Sequence, residues 1–441
     1  MPTRLESNRP LRVAIIGAGP GGLVLAQLLR DDPGFEVTVY ERGEAEGDET
    51  SSLTGYRILI TPELLDSLRK HLPADVQMLL EKAIGVSQKN GNRLGMMDTM
   101  CRLICRVDLA GMRSLCSVSR WKLRKALLSG SREFVKFGRV FTSYEVDGSK
   151  GVKVSFSDGE SIHCDLLVGA DGAGSRVRKQ LLPDSSRSST GVTTIYFKAP
   201  YTPETEAMIP WASGIMAMAP RRSMVVAYYK NPAKPYGPYD LNNIDPEDSF
   251  LMVGMGCYTN EFFNQDKHPD ELTPEELKDE CLNRARGWHP LLQALIAITV
   301  PNSVFVSHIK TQDPIEPWKT GQVTILGDAA HSMTPFLGQG ATNAIVDAMT
   351  LAEKLKWTEE KEKETITAGV REYESSMLKR GNAAVKNSLY ALDLTFAWGN
   401  TPWRAWFRNL ALSFWDILTP HPANLVEPFP VSYSESNKKG N

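Results

Sequence analysis

Residues 11–30 restrict this chain more than any other stretch. Leu11-Arg12-Val13-Ala14-Ile15-Ile16 is a short, mostly β-branched apolar run. It meets Gly17-Ala18-Gly19-Pro20-Gly21-Gly22 and then Leu23-Val24-Leu25-Ala26-Gln27-Leu28-Leu29-Arg30. The first run has the length of one buried strand in a parallel sheet, and the last reads as a helix packed on it. In such a turn Gly17 permits the reversal, Gly19 removes a side chain where a pyrophosphate must approach the backbone, and Gly22 lets helix and strand pack closely. The helix N-terminus adds unpaired N–H groups and the positive end of a dipole. Asp31-Asp32-Pro33-Gly34 stops the helix. Residues 36–40 form a second strand that runs into Glu41, about 20 residues beyond the glycines, where a carboxylate can hold ribose hydroxyls. A bare GxGxxG is weak evidence; with strand, helix, second strand and terminal acid it reads as a dinucleotide cradle. Arg42 has two readings, a contact to an adenosine edge or cofactor phosphate and a solvated surface arginine.

Two further acid-glycine segments follow. Asp165-Leu166-Leu167-Val168-Gly169-Ala170-Asp171-Gly172 is an apolar strand ending in an acid and glycine, then a cationic helix start through Arg176 and Arg178. An acid there sits at a strand's carboxyl end, where parallel sheets bind ligands. Residues 322–326 form another buried-type strand before Gly327-Asp328-Ala329-Ala330-His331. Pro335 and the run Gly338-Gln339-Gly340-Ala341-Thr342-Asn343 then precede a long helix. A carboxylate at a strand end suits a polyhydroxyl chain, and a glycine-rich loop at a helix N-terminus suits an anionic ring edge. Helix capping is the alternative role for Asp171 and Asp328.

With these three segments in this order, residues 11–355 resemble the FAD-dependent single-component aromatic hydroxylases, the group A flavoprotein monooxygenases of the p-hydroxybenzoate hydroxylase fold. The resemblance is closest to the branch of tetracycline-inactivating monooxygenases and fungal natural-product tailoring hydroxylases and epoxidases. It implies an α/β fold: a Rossmann-like FAD-binding domain, an inserted antiparallel substrate domain and a C-terminal helical segment. It also implies that Gly17, Gly19, Gly22 and Glu41, with Arg42, bind the ADP half of FAD, and that Asp171 and Gly172 serve the pyrophosphate and NAD(P)H use. Asp328 would bond the ribityl chain. Pro335, Gly338, Gln339, Gly340, Ala341 and Asn343 would line the isoalloxazine, Arg120 would reach the flavin side, and Gly55 joins the cofactor set. NADH or NADPH would bind transiently, since no second glycine fingerprint follows a strand. The implied chemistry is oxygen insertion from O2 through a flavin C4a-hydroperoxide. Candidate catalytic residues are Arg57, Tyr228 and Tyr229, the two tyrosines facing opposite sides of a strand. Where the family often has an arginine on a preceding strand, this chain offers Lys198. His331 reads as structural, because nothing places a nucleophile beside it.

The expected domains are 1–185 (FAD-binding, first part), 186–310 (mostly antiparallel, substrate), 311–360 (FAD-binding, the later acid and flavin loop) and 361–441 (helices and tail). Residues 74–100 read as helical and then irregular. A chain of 441 residues supports two packed domains, and a net charge of −2 gives no expectation of nucleic acid. Six cysteines without a CxxC pair argue against a zinc site and a disulfide framework, which suits a reducing, cytoplasmic setting. The N-terminus does not read as a signal peptide, and no stretch approaches a membrane span. The tail from Leu389 is rich in Trp and Phe. These read mainly as helix-packing core, with a lid or a membrane-surface patch as the alternative. The expected substrate is an electron-rich aromatic or polycyclic compound of indole or phenol type, and the expected state a monomer or weak homodimer. Rival readings on this fold are a halogenase, whose Trp-x-Trp-x-Ile-Pro signature is absent, an isoprenoid double-bond reductase, and a non-catalytic prenyl-binding chaperone.

Overall fold

The structure, a computed structural model, describes residues 9–44, 57–86, 93–108, 115–147, 151–209, 214–236, 248–356 and 366–418. The chain forms two units. One combines Met1–Ile84, Val118–Thr190 and Lys310–Ala391; the other combines Gly85–Ser117, Gly191–Ile309 and Leu392–Asn441.

The first unit is built on a five-stranded parallel sheet. Its order is Val323–Ile325, Leu166–Gly169, Leu11–Ile16, Phe35–Tyr40 and Val135–Lys136. In chain order that is 5-4-1-2-3, the doubly-wound arrangement whose switch point lies beside the first strand. Ile16 pairs with Tyr40 on one side and Gly169 on the other, so the acid-glycine turns leave one carboxyl edge together. The helix Pro20–Leu29 is buried on almost every face. Gly21 makes that possible: a Cβ there would lie 2.7 Å from Leu326 Cδ1 and 3.0 Å from the Ala344 carbonyl, so the helix Gly340–Leu355 packs directly on it. Gly151–Phe156 and Ser161–Cys164 form a hairpin, joined by Phe141–Asp147 in a three-stranded antiparallel sheet.

The second unit holds a seven-stranded sheet ordered Val300–Gln312, Arg187–Pro200, Phe250–Tyr258, Arg222–Tyr229, Gly214–Ala219, Arg93–Asp98 and Leu103–Asp108. Residues 93–98, expected to be irregular, are therefore a strand. It pairs in parallel with Gly214–Ala219 in a sheet whose other recorded pairs are antiparallel. The helices Pro274–Arg284 and Pro290–Ala297 cover one face and bury Leu277, Cys281, Leu291 and Leu295 against Phe197, Val226, Leu251 and Met255. Thr273 and Glu276 form the reciprocal cap that starts the first of these, as their spacing predicts.

The C-terminal aromatics correct an expectation. Phe396 is buried, but Trp398, Trp403, Trp406, Phe407, Phe414 and Trp415 are 50–62% exposed. The helix Pro402–Leu418 is inverted: Arg408 and Asp416 are its buried charges. Arg408 donates to the Thr395 carbonyl at 2.8 Å, and Asp416 accepts the Arg106 amide at 2.7 Å. These bonds hold its polar side inward and leave the apolar side outward. Among the described residues, no helix is long and apolar enough to cross a membrane.

Candidate functional site

The glycine turn is shaped by contact, not by composition alone. Gly17 has φ +107°, and a Cβ on it would lie 2.4 Å from the carbonyl of Ala170, the residue after the neighbouring strand Leu166–Gly169. A Cβ on Gly22 would lie 2.2 Å from the Gly17 carbonyl. Gly19 differs: a Cβ there meets nothing within 4 Å. The first two glycines keep the backbone closed, and the third keeps open the volume at the helix start. Glu41 ties the turn down, accepting from Ala18 N–H at 2.6 Å and Gly43 N–H at 2.8 Å. Each carboxylate oxygen keeps a lone pair for a ribose hydroxyl. Arg42 is exposed.

The helices Pro20–Leu29, after Gly19, and Gly340–Leu355, after Gln339, start without side-chain caps, as do Ala74–Ala83 and the short turn Asp328–His331. By contrast, the helices starting after Thr61, Ser119 and Ser175 are all capped by hydroxyls. Open N–H donors and aligned dipoles at two neighbouring helix starts form a place for anions. Gly338, at φ +63°, turns the chain after Pro335, and Asn343 closes the first turn of its helix by bonding the Gln339 carbonyl. Pro335 and Gly338 are exposed, while Gln339, Gly340 and Ala341 are half-buried.

Asp328 lies beside the second of these helix starts, its Oδ1 3.7 Å from where a Gly340 Cβ would stand. The carboxylate is open to solvent but crowded by protein. Desolvation raises its pKa, while the positive groups of His331, Arg120 and Arg187 pull it down. Asp328 thus lies beside the glycine loop, with Arg120 among the charges that act on it. Arg187 was not foreseen; its Nε is buried without a hydrogen-bond partner, and burial lowers its pKa. Arg57 opens the strand Arg57–Ile60, which is fastened to the loop by Thr342 Oγ1 donating to the Leu59 carbonyl at 2.6 Å. Gly55 lies outside the described residues.

Asp171 has a different occupation. Its carboxylate accepts from Ser175 Oγ at 2.5 Å, Arg176 N–H at 2.7 Å and Val177 N–H at 3.3 Å, so it fastens the start of the helix Arg176–Leu181. Gly172, at φ +78°, carries the turn between them. Arg178, almost fully buried, bonds the carbonyls of Ala329 at 2.9 Å and Ala173 at 3.1 Å, linking the two acid-glycine turns.

Beneath Asp328 lies a buried charge cluster that sequence reasoning missed. Asp347 accepts from His331 Nε2 at 2.6 Å, Gly327 N–H at 2.8 Å and Arg380 at 2.5 Å. His331 is therefore held by a buried carboxylate. The signal was an acid among Ile345, Ala348, Leu351 and Ala352 on the apolar stripe of a helix.

In the second unit Tyr228 and Tyr229 do face opposite sides. Tyr228 belongs to the helix-covered core and packs on Tyr201, ring centroids 5.4 Å apart, whereas Tyr229 packs on Phe250. The side away from those helices has Gly254 and Gly256 at its centre, with Phe396 over Gly256. A Cβ on Gly254 would lie 2.7 Å from the Tyr196 ring, which itself stacks on Phe305. Lys198 Nζ on that side sits 5.2 Å from the Phe250 ring centre.

The open volume at Gly19, the paired uncapped helix starts and the carboxylates of Glu41 and Asp328 fit a long, doubly anionic dinucleotide with a polyhydroxyl segment. Comparison with known proteins agrees. Residues 10–388 match the family described as FAD binding domain. The chain is 28% identical over 375 residues to the dual O-methyltransferase/FAD-dependent monooxygenase elcB of Phaeosphaeria nodorum. That alignment covers 78% of this chain and 40% of the relative, so the chain spans about two fifths of that protein's length. It is also 28% identical over 350 residues to the 6-hydroxynicotinate 3-monooxygenase of Pseudomonas fluorescens, covering 78% and 82%. HpxO of Klebsiella pneumoniae, solved with FAD and uric acid, shares the fold at TM-score 0.72 and 24% identity, covering 92% of this chain and 93% of that one. On the family match, the chain belongs to the family described as FAD binding domain.

Proposed function

We propose that this chain is an NAD(P)H-consuming, FAD-dependent monooxygenase that places one atom of O2 on an electron-rich aromatic or polycyclic ring, by hydroxylation or epoxidation. The observation that carries the reading is the pair of uncapped helix starts with Asp328 beside the second. The relatives support the substrate class, because hydroxynicotinate and urate are both electron-rich nitrogen heteroaromatics. A cytoplasmic protein acting as a monomer or weak dimer completes the proposal.

Bound FAD supplies the redox chemistry, carrying reducing equivalents from NAD(P)H to O2 so that one oxygen enters the ring and the other leaves as water. The residues do the holding. The Gly17–Gly22 turn takes the diphosphate on backbone N–H groups, and Glu41 takes ribose hydroxyls. Asp328 accepts from the ribityl chain, and the helix start at Gly340 sets a fixed positive potential at the anionic ring edge. Arg120 and Arg187 add positive charge nearby, Asp171 and Gly172 keep the second turn in shape for diphosphate and NAD(P)H, and Arg57 lies on the strand along the loop. We assign substrate contact to the sheet face of Tyr196, Lys198 and Tyr229, since Tyr228 lies in the helix-covered core.

The test is NADH and NADPH consumption with and without a panel of indoles and phenols, with products weighed for one added oxygen. Substrate-stimulated consumption with that mass gain is expected. Flavin that neither nicotinamide reduces, with or without the panel, would overturn the reading. Within it, Asp328→Ala removes a charge-assisted acceptor worth about 1.5–3 kcal/mol, so flavin affinity should fall roughly 10–100-fold. Apoprotein Tm should barely change, because the side chain is exposed. Undiminished flavin retention on gel filtration would remove its ribityl role.

A further inference from the structure

In the second unit, His268 and Asp270 lie at the turn Pro269–Glu271, and His308 lies on the edge strand Val300–Gln312. His308 Nε2 is 3.0 and 3.1 Å from the two Asp270 oxygens, and His268 Nδ1 is 3.3 Å from Asp270 Oδ2. One donor atom from each residue lies within 4.8 Å of the other two.

The hydroxyls behind His308 fix its tautomer. Thr259 Oγ1 donates to the Gly191 carbonyl at 3.0 Å, so toward Thr193 Oγ1, 2.7 Å away, it accepts. Thr193, fully buried, spends its one proton there and must accept from His308 Nδ1–H at 2.9 Å. With Nδ1 committed to Thr193, His308 turns Nε2 toward the Asp270 carboxylate. His268 Nδ1 accepts from Asp270 N–H at 3.4 Å as the cap of this turn, a bond that rotation of the exposed ring releases. Two imidazole nitrogens and a carboxylate oxygen thus face one small volume at the edge of the sheet.

We infer that His268, Asp270 and His308 bind a divalent transition metal of borderline softness, Zn2+ foremost. Two imidazoles and one carboxylate are the donors such ions take, whereas Ca2+ and Mg2+ demand oxygen. Metal–ligand bonds of about 2.0–2.2 Å in a tetrahedron set donor atoms roughly 3.3 Å apart. Both Asp270 pairs already stand near that separation. His268, exposed, closes the remaining gap by side-chain rotation, and water takes the fourth position. The Thr193–His308 bond plays the part that buried hydrogen bonds play behind metal-binding histidines, orienting the ring and fixing its tautomer. The ion clasps the turn at 268–271 to the edge of the sheet, so its binding free energy adds to the stability of this unit.

The test uses full-length, flavin-loaded protein treated with EDTA and dialysed. ZnCl2 is titrated by calorimetry, CoCl2 by visible absorption, and Tm is read with and without Zn2+. One ion per chain, a tetrahedral Co2+ spectrum and a Tm rise of about 3–5 °C at saturation are expected. His308→Ala and Asp270→Asn should abolish the Tm rise, and Thr193→Val should weaken Zn2+ binding about 10–100-fold. Asp270→Asn changes one exposed side chain, so it reports even where the buried Thr193 change impairs folding. Identical isotherms for wild type and Asp270→Asn, meaning adventitious binding only, would overturn the assignment. So would no Zn2+ binding by wild type at neutral pH, which would leave His308 and Asp270 as a proton-bridged ion pair.

Discussion

Gly19→Val is expected to give a folded protein that no longer retains FAD. The Cβ direction at Gly19 leads into space, with no protein atom within 4 Å, at the start of an uncapped helix. The backbone there is extended, at φ −76°, so a valine is accommodated without strain. Its two methyl groups then occupy the volume a diphosphate must enter to reach the N–H donors. Losing two charge-assisted hydrogen bonds costs about 3–6 kcal/mol, or roughly 10²–10⁴ in affinity. Gly22→Val separates this effect from damage to the fold. Its Cβ would stand 2.2 Å from the Gly17 carbonyl and its branch against Ile15 and Ala170, so strand and helix must part. The visible flavin absorbance relative to protein, read with apoprotein Tm, distinguishes the two. Gly19→Val should be colourless at nearly wild-type Tm, and Gly22→Val colourless with a much lower Tm or insoluble. A yellow Gly19→Val protein, or one as unstable as Gly22→Val, would show that the open volume is not the diphosphate site.

What could be read from the sequence was local. The cradle was legible because strand, glycine turn, helix and Glu41 fall within one βαβ unit, and Gly17 and Gly22 answer to backbone carbonyls across one strand and within the turn itself. The opposite facing of Tyr228 and Tyr229 follows from strand alternation and needed no partner. Residues 93–98 were not legible as a strand because Arg93-Leu-Gly-Met-Met-Asp98 has no alternating pattern to announce it, although one of its partners, Leu103–Asp108, lies close by in the chain. The tail aromatics misled for another reason. Helical spacing locates an apolar stripe but does not say which side faces the protein; here Arg408 and Asp416 decide, by satisfying backbone groups inside. For Asp171 the alternative role named from the sequence, helix capping, is what its hydrogen bonds show.

The buried cluster at Asp347 was hidden by distance in the chain, and it carries the largest expected effect on stability. Removing a fully buried carboxylate with Asp347→Ala leaves His331, Arg380 and the Gly327 amide without their shared acceptor, which should cost about 3–5 kcal/mol. The pH dependence has a definite sign. Burial acts to raise the Asp347 pKa, but the charge and hydrogen bond of His331, helped by Arg380 and Gly327 N–H, leave it lowered. Its contribution is present above the unfolded value of about 3.9 and is lost as pH falls through the folded one. Burial acts to lower the His331 pKa, but Asp347 overcomes it and leaves it raised. That contribution is complete below about 6.5 and is lost as pH rises through the folded value. The gap in Tm between wild type and the isosteric Asp347→Asn should therefore be widest between about pH 4 and 6.5 and shrink on both sides. Because Gly327 N–H hangs from Asp347 and Gly327 precedes Asp328 at φ +61°, the same variant should also hold flavin less tightly. A Tm gap independent of pH would refute the coupled pair. Full flavin retention in a destabilised Asp347→Asn protein would confine the cluster to stability, and leave Asp328 positioned by its other neighbours.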